Sequence, residues 1–174
     1  MIKKPVFVTA SLLTVALLSG CSAPATEQPR DYRLPLLNQS VTEFCPASQR
    51  RVVVNDLMLS NGLLLQRSNT RIHAARYHRW SGSLEQQLQQ SAQRLLTDKG
   101  CAGELTIRVM DFYGDNQGHG VVSGHWDYRV NGQLQSDSFY HRQPLAGDGY
   151  DALVEALNSA WLESLTTIKN ATAN

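Results

Sequence analysis

Val121-Val122-Ser123-Gly124-His125-Trp126-Asp127-Tyr128-Arg129-Val130, followed at once by Asn131-Gly132, decides the fold class. Successive side chains of a strand point to opposite faces. Val122, Gly124, Trp126, Tyr128 and Val130 therefore share one side, and Ser123, His125, Asp127 and Arg129 the other. Such alternation marks a strand with one buried and one wet face, the habit of antiparallel sheets. Asn-Gly then supplies the positive φ values of a tight turn. Two registers are open for the returning strand. A two-residue turn sets Gln133, Gln135 and Asp137 beside the apolar face, whereas one extra loop residue sets Leu134 and Tyr140 there. The second is preferred.

Working outward, residues 105–112 predict a preceding strand, joined through the glycine-rich run from Gly114 to Gly120. Residues 83–99 predict a helix, with Leu84, Leu88, Ala92, Leu95 and Leu96 on one face, Ser81 or Ser83 as cap and Gly100 as stop. Its other face carries Gln86, Gln87, Gln89, Gln90 and Gln93 and reads as solvated. The alternative is burial against a neighbouring subunit, because neutral amides cost less to desolvate than ions. Residues 149–169 predict a second helix with the ridge Leu153, Leu157, Trp161, Leu165 and Ile168, widened by Ala156 and Ala160, and capped by Asp148. Nearer the start, residues 31–37 hold a short candidate strand. Residues 51–59 hold a stronger one, which Asn61-Gly62 turns into residues 63–67 as a hairpin. These elements give an α+β domain over residues 31–170: a mainly antiparallel sheet with two helices packed on one face, and a disordered tail at 171–174.

The start of the chain is written in another chemistry. Lys3 and Lys4 precede an uncharged apolar run from Pro5 to Leu18, closed by the small residues Ser19 and Gly20. That order describes a signal peptide over residues 1–20, and the run is shorter than the roughly 20 apolar residues a spanning helix needs. Leu18-Ser19-Gly20-Cys21 resembles the bacterial lipobox, which implies a diacylglycerol thioether on Cys21 and a further acyl chain, palmitate in type, on its freed amine. One chain holds marginally and several hold durably. Ser22 after the cysteine, by resemblance to enterobacterial sorting, implies the outer membrane. Residues 21–30, with Pro24 and Pro29 and almost nothing apolar, read as the lipidated end and a flexible tether.

Losing Lys3 and Lys4 turns the net charge of +1 into −1, so no basic excess recruits nucleic acid. Cys45 and Cys101 remain in a compartment that permits disulfides, and a structural bridge is the leading reading. A catalytic thiol is the alternative and would want an imidazole or helix N-terminus beside it. His73, His78, His119, His125 and His141 form no recognisable metal motif. Ser123 lacks the preceding glycine of a nucleophile elbow, and the glycines at 114–120 lack the lysine of a phosphate loop. No catalytic residue, metal or cofactor is expected.

The densest segment is Asn69 to Leu84, where arginine and aromatic residues mix as they do in protein contacts. Leu59-Ser60-Asn61-Gly62, residues 69–75, Trp80, Leu84 and Glu85-Gln86-Gln87-Leu88 resemble the signature region of the PqiC-like (YmbA) ABC-transport auxiliary lipoproteins. Agreement runs in order from the lipobox through Tyr32-Arg33-Leu34 to the terminal helix. A departure is Gly82-Ser83, where relatives commonly carry a proline before the leucine that opens the helix. The resemblance implies a non-enzymatic outer-membrane lipoprotein that faces the periplasm and supports membrane integrity. It would dock a PqiB-like MCE-domain tunnel protein in intermembrane lipid transport, as a homo-oligomer whose ring suits a tubular partner. Tyr77, Arg79 and Trp80 are the candidate partner-binding residues, although for Trp80 a structural role, wedging the helix against the sheet, is preferred to partner contact. The competing classes are a periplasm-facing ligand-binding or enzymatic lipoprotein and an outer-membrane protein assembly factor.

Overall fold

The structure is a computed structural model that describes residues 28–41, 43–97 and 101–173. The signal peptide, Cys21, most of the tether and Gly100 lie outside the described residues. In chain order the elements are β1 (Arg30–Tyr32), a 3₁₀ turn (Pro35–Asn38), β2 (Arg50–Val54), a second 3₁₀ turn (Asp56–Leu59), β3 (Gly62–Ser68) and β4 (Arg71–Trp80). They continue with α1 (Leu84–Leu95), β5 (Glu104–Gly114), β6 (His119–Val130), β7 (Gln133–Pro144) and α2 (Gly149–Thr172).

Seven strands form one sheet in the order β1-β4-β3-β5-β6-β7, with β2 also on β5. The class is α+β and the long ladders β5–β6 and β6–β7 are antiparallel, but β1–β4, β2–β5 and β3–β5 are parallel, so the sheet is mixed. Both helices cover the same face. On β5 and β6, Leu105, Ile107 and Val109 lie opposite Tyr128, Trp126 and Gly124, and the five side chains other than the glycine share one buried cluster with Leu88 of α1 and Leu157 and Trp161 of α2. Burying each large apolar side chain contributes about 1.5–3 kcal/mol, and this cluster supplies most of the fold's driving force. Close approach of α2 needs small residues on the sheet: a Cβ at Gly120 would sit 2.8 Å from the Leu157 backbone nitrogen. Trp161 Nε1 donates to Ser91 Oγ at 2.6 Å and ties the helices together.

Three local expectations are corrected. No hairpin joins β2 to β3. Asn55 ends β2 by accepting from the backbone N–H groups of Leu57 and Met58, which bends the chain into the 3₁₀ turn and sends β2 beside β5. The β3 strand pairs with β4 instead. Gly62 is small for a different reason than a turn, since a Cβ there would meet Ala75 O at 2.7 Å. The β6–β7 turn has two residues, with Val130 opposite Gln133 and φ of 50° at Asn131 and 77° at Gly132. The preferred extra-residue register is therefore wrong, and Leu134 and Tyr140 are exposed. The same parity buries Phe139, whose ring lies 6.4 Å from that of Trp161, and one buried phenyl outweighs two marginal contacts. Finally, α2 runs on to Thr172, and Asp148 holds the N-cap position without a side-chain capping bond.

Candidate docking surfaces and the anchor end

The first described residues are pinned from both helices. Gln87 of α1 accepts from Leu34 N at 2.9 Å and donates to Ser81 O at 3.3 Å, while Asn158 of α2 accepts from Leu36 N at 3.0 Å. Beside them His78 stacks on Tyr150 with ring centroids 3.6 Å apart, and Tyr32 Oη lies 2.8 Å from His78 Nδ1. Burial, and then the Asp151 carboxylate, push the Tyr32 phenol above its ordinary value. This clamp fixes the point from which the preceding chain leaves the domain.

The glutamine face of α1 divides. Gln86 and Gln90 are exposed as expected, but Gln87 is buried and Gln89 closes a sheet edge within the same chain. The Gln89 carboxamide accepts from Val52 N at 2.8 Å and donates to Arg50 O, filling the outward hydrogen bonds of β2 as a neighbouring strand would. Alternation of polar and apolar residues could not reveal these roles. The signal was that five glutamines replace the charges a solvated helix face ordinarily carries.

At the far end of the strand order, the long strand β7 has no strand beyond it among the described residues. Its outer face presents Leu134 and Tyr140, 59% and 65% exposed. Asp137 accepts from Ser138 N at 2.8 Å and so covers one amide of the strand. Where β7 begins, Ala102, Tyr128, Val130, Leu134, Gln135 and Thr172 line a groove of about 740 Å³. The Asn131-Gly132 turn lies here, at the opposite end of β6 from the loop that follows β5.

Of the three candidate partner residues, Trp80 is only 3% exposed and meets Phe112 edge-on at 5.9 Å, so it wedges the sheet from inside and is removed from the contact surface. Arg79 is exposed and lies 3.5 Å from Asp31 on β1. Tyr77 is half-buried under the Arg76 guanidinium, 5.4 Å from its ring centroid. The arginine–aromatic composition of β4 thus serves mainly the strand's own neighbours.

Cys45 and Cys101 are joined by a disulfide, with Cα atoms 5.5 Å apart. The histidines sit in separate surroundings. His73 and His125 are exposed, His78 is in the aromatic clamp, His119 lies 3.4 Å from Asp115, and His141 lies 3.3 Å from Glu163. Among the described residues no three His, Cys, Asp or Glu side chains converge as a metal site would require. Asp115 is the most engaged acid. Burial would raise its pKa, but Arg142 and the backbone N–H groups of Gln117 and His119 outweigh that and hold the carboxyl below its ordinary value of 3.8. Its role is to fix the β5–β6 loop.

Residues 50–169 match the family described as the ABC-type transport auxiliary lipoprotein component. The chain belongs to that family. The matched span runs from β2 to within three residues of the end of α2, and so includes both helices and the strands they cover. Among similar proteins are the lipoproteins named "Intermembrane transport lipoprotein PqiC" from Escherichia coli and Shigella flexneri. Each is 27% identical over 176 residues that cover 90% of this chain and 94% of the relative. A crystal structure of an uncharacterized protein is similar at a TM-score of 0.73 and 26% identity, covering 84% of this chain and 99% of that one. A protein from Xanthomonas campestris shares the fold at a TM-score of 0.63 and 15% identity, over 75% and 90% of the two chains. The auxiliary lipoprotein family is described by a part in transport and not by a catalytic activity.

Proposed function

We propose that this chain is the outer-membrane subunit of a PqiABC-like intermembrane lipid transport system. Lipidated at Cys21 and facing the periplasm, it docks the far end of a PqiB-like MCE-domain tunnel protein as part of a homo-oligomeric ring, and so supports membrane integrity. The observation that carries the reading is the near full-length correspondence with lipoproteins named for intermembrane transport. Geometry adds a division of labour. The tether enters beside β4, and the groove at Leu134 and Thr172 lies at the opposite end of the strands, where a partner arriving from the periplasm would meet the domain. The open edge of β7 suits a second copy, because a head-to-tail contact repeated about an axis closes a ring.

The test is crosslinking and affinity purification of the full-length lipoprotein from intact envelopes, with Cys21→Ser as control. Recovery of an MCE-domain protein, reduced in the control, is expected. Reproducible recovery of an unrelated envelope protein, such as a barrel under assembly, would replace the reading.

A further inference from the structure

We propose that the tip of the β3–β4 hairpin is a cationic finger that rests on anionic phospholipid headgroups of the membrane holding the chain's own lipid. This rests on the reading of Cys21 as the lipidated residue. No Asp or Glu occurs between Asp56 and Glu85, while Arg67, Arg71, Arg76 and Arg79 do. Arg79 is paired with Asp31. Arg67, Arg71 and Arg76 are exposed, and among the described residues none of the three forms an ion pair. Two of them have neutral neighbours: Arg71 Nε donates to Ser68 Oγ at 3.4 Å, and Arg76 lies over Tyr77. Ile72, 41% exposed, sits among them, and an apolar side chain framed by guanidinium groups is the composition of a headgroup-contacting surface.

Direction decides between a membrane and other anions. Leu65 opposite Gly114 is the pairing of β3 with β5, so residues 66–72 continue past it as a two-stranded ribbon. The β1 strand runs parallel to β4 with Arg30 opposite His78, so the chain before Arg30 enters from the side of the hairpin tip. Cys21 lies nine residues before Arg30, a reach of at most about 30 Å. Arg71 lies seven residues before His78, about 23 Å along the same direction. The chain is therefore long enough for an anchor at Cys21 and the hairpin tip to meet one plane. Asp115 at this end is occupied by Arg142, and Asp148 and Asp151 sit at the start of α2 on the body of the domain. An acidic protein segment would satisfy the same charge, but the tether holds the finger against the bilayer at an effective concentration a soluble partner does not match.

The three native tryptophans, Trp80, Trp126 and Trp161, are all buried, so an Ile72→Trp substitution adds a single exposed indole to the mature lipoprotein. We would place that variant on vesicles of brominated phosphatidylcholine with and without about 30 mol% phosphatidylglycerol, and follow flotation and indole quenching together. The expected result is flotation on both vesicles, with quenching that rises with phosphatidylglycerol. That rise should fall by roughly half or more when Arg67, Arg71 and Arg76 are changed to Gln, or at about 0.5 M salt. Flotation without quenching, or quenching indifferent to phosphatidylglycerol and to the Gln substitutions, would overturn the finger and leave the anchor standing. Shielding of the indole by a copurifying acidic protein would reassign the finger and overturn the lipid contact. Failure to float would remove the anchor and the finger together.

Discussion

Two strands with an unpaired side, β2 beside β5 and β7 at the end of the strand order, are treated in opposite ways. Strand β2 ends one side of β5, and its outward N–H and C=O groups are taken up by the Gln89 carboxamide from α1. Among the described residues strand β7 ends the sheet with no strand beyond it, and Leu134 and Tyr140 stand exposed on its outer face. Open edges invite pairing with another chain, and proteins that remain alone cover them. A half-buried glutamine closes the first edge from within the chain, while the second is the edge that the proposed second copy would cover.

The largest way to break the closed side is through its covalent tie. Replacing Cys45 and Cys101 by Ser together frees a loop with a sequence separation of 56 and should cost about 4 kcal/mol on the chain-entropy account, read by urea unfolding of the mature protein with and without reductant. Next, Gln89→Leu leaves Val52 N and Arg50 O without their partner and should cost about 2 kcal/mol, with new self-association as the edge opens. Unchanged stability would mean water replaces the amide without loss.

The Asp115 loop sharpens the comparison through pH. Its carboxyl pKa is lowered on folding, so the stability it contributes is present above the unfolded value of 3.8 and is lost as pH falls through the lower folded value. Asp115→Asn should remove about 1–2 kcal/mol at neutral pH and flatten the acid limb of a thermal-stability profile. A parallel downward shift at every pH would contradict this. The smallest effect on stability is expected at β7. Ser138→Pro removes an N–H that bonds to the side chain of Asp137 and should change monomer stability by less than about 0.5 kcal/mol, while abolishing self-association measured by sedimentation.

What could be read beforehand follows where a residue's neighbours lie. Strand β6 was legible because its two faces differ along its whole length, and α2 because Leu153, Leu157, Trp161 and Leu165 repeat at helical spacing. The Asn61-Gly62 turn misled because glycine answers to close approach as well as to positive φ, and the approach of Ala75 is a tertiary fact. The β7 register misled because Leu134 and Tyr140 were set against Gln133, Gln135 and Asp137, and Phe139, which shares the face of those three, was left uncounted. The acid-free stretch around β4 was visible in the letters. Its aim was not, since that depends on the parallel pairing of β1 with β4. The segment around Trp80 read as contact composition because arginine and aromatic residues serve a crowded strand as readily as an interface, whereas for Trp80 itself the structural wedge was the preferred reading.

The most direct measurement is site-specific photocrosslinking in intact envelopes, with the reactive side chain at Leu134 in one strain and at Ile72 in another. The account predicts an MCE-domain protein on the Leu134 probe and lipid on the Ile72 probe. An MCE-domain protein on the Ile72 probe, with none on the Leu134 probe, would reverse the assigned ends and contradict it.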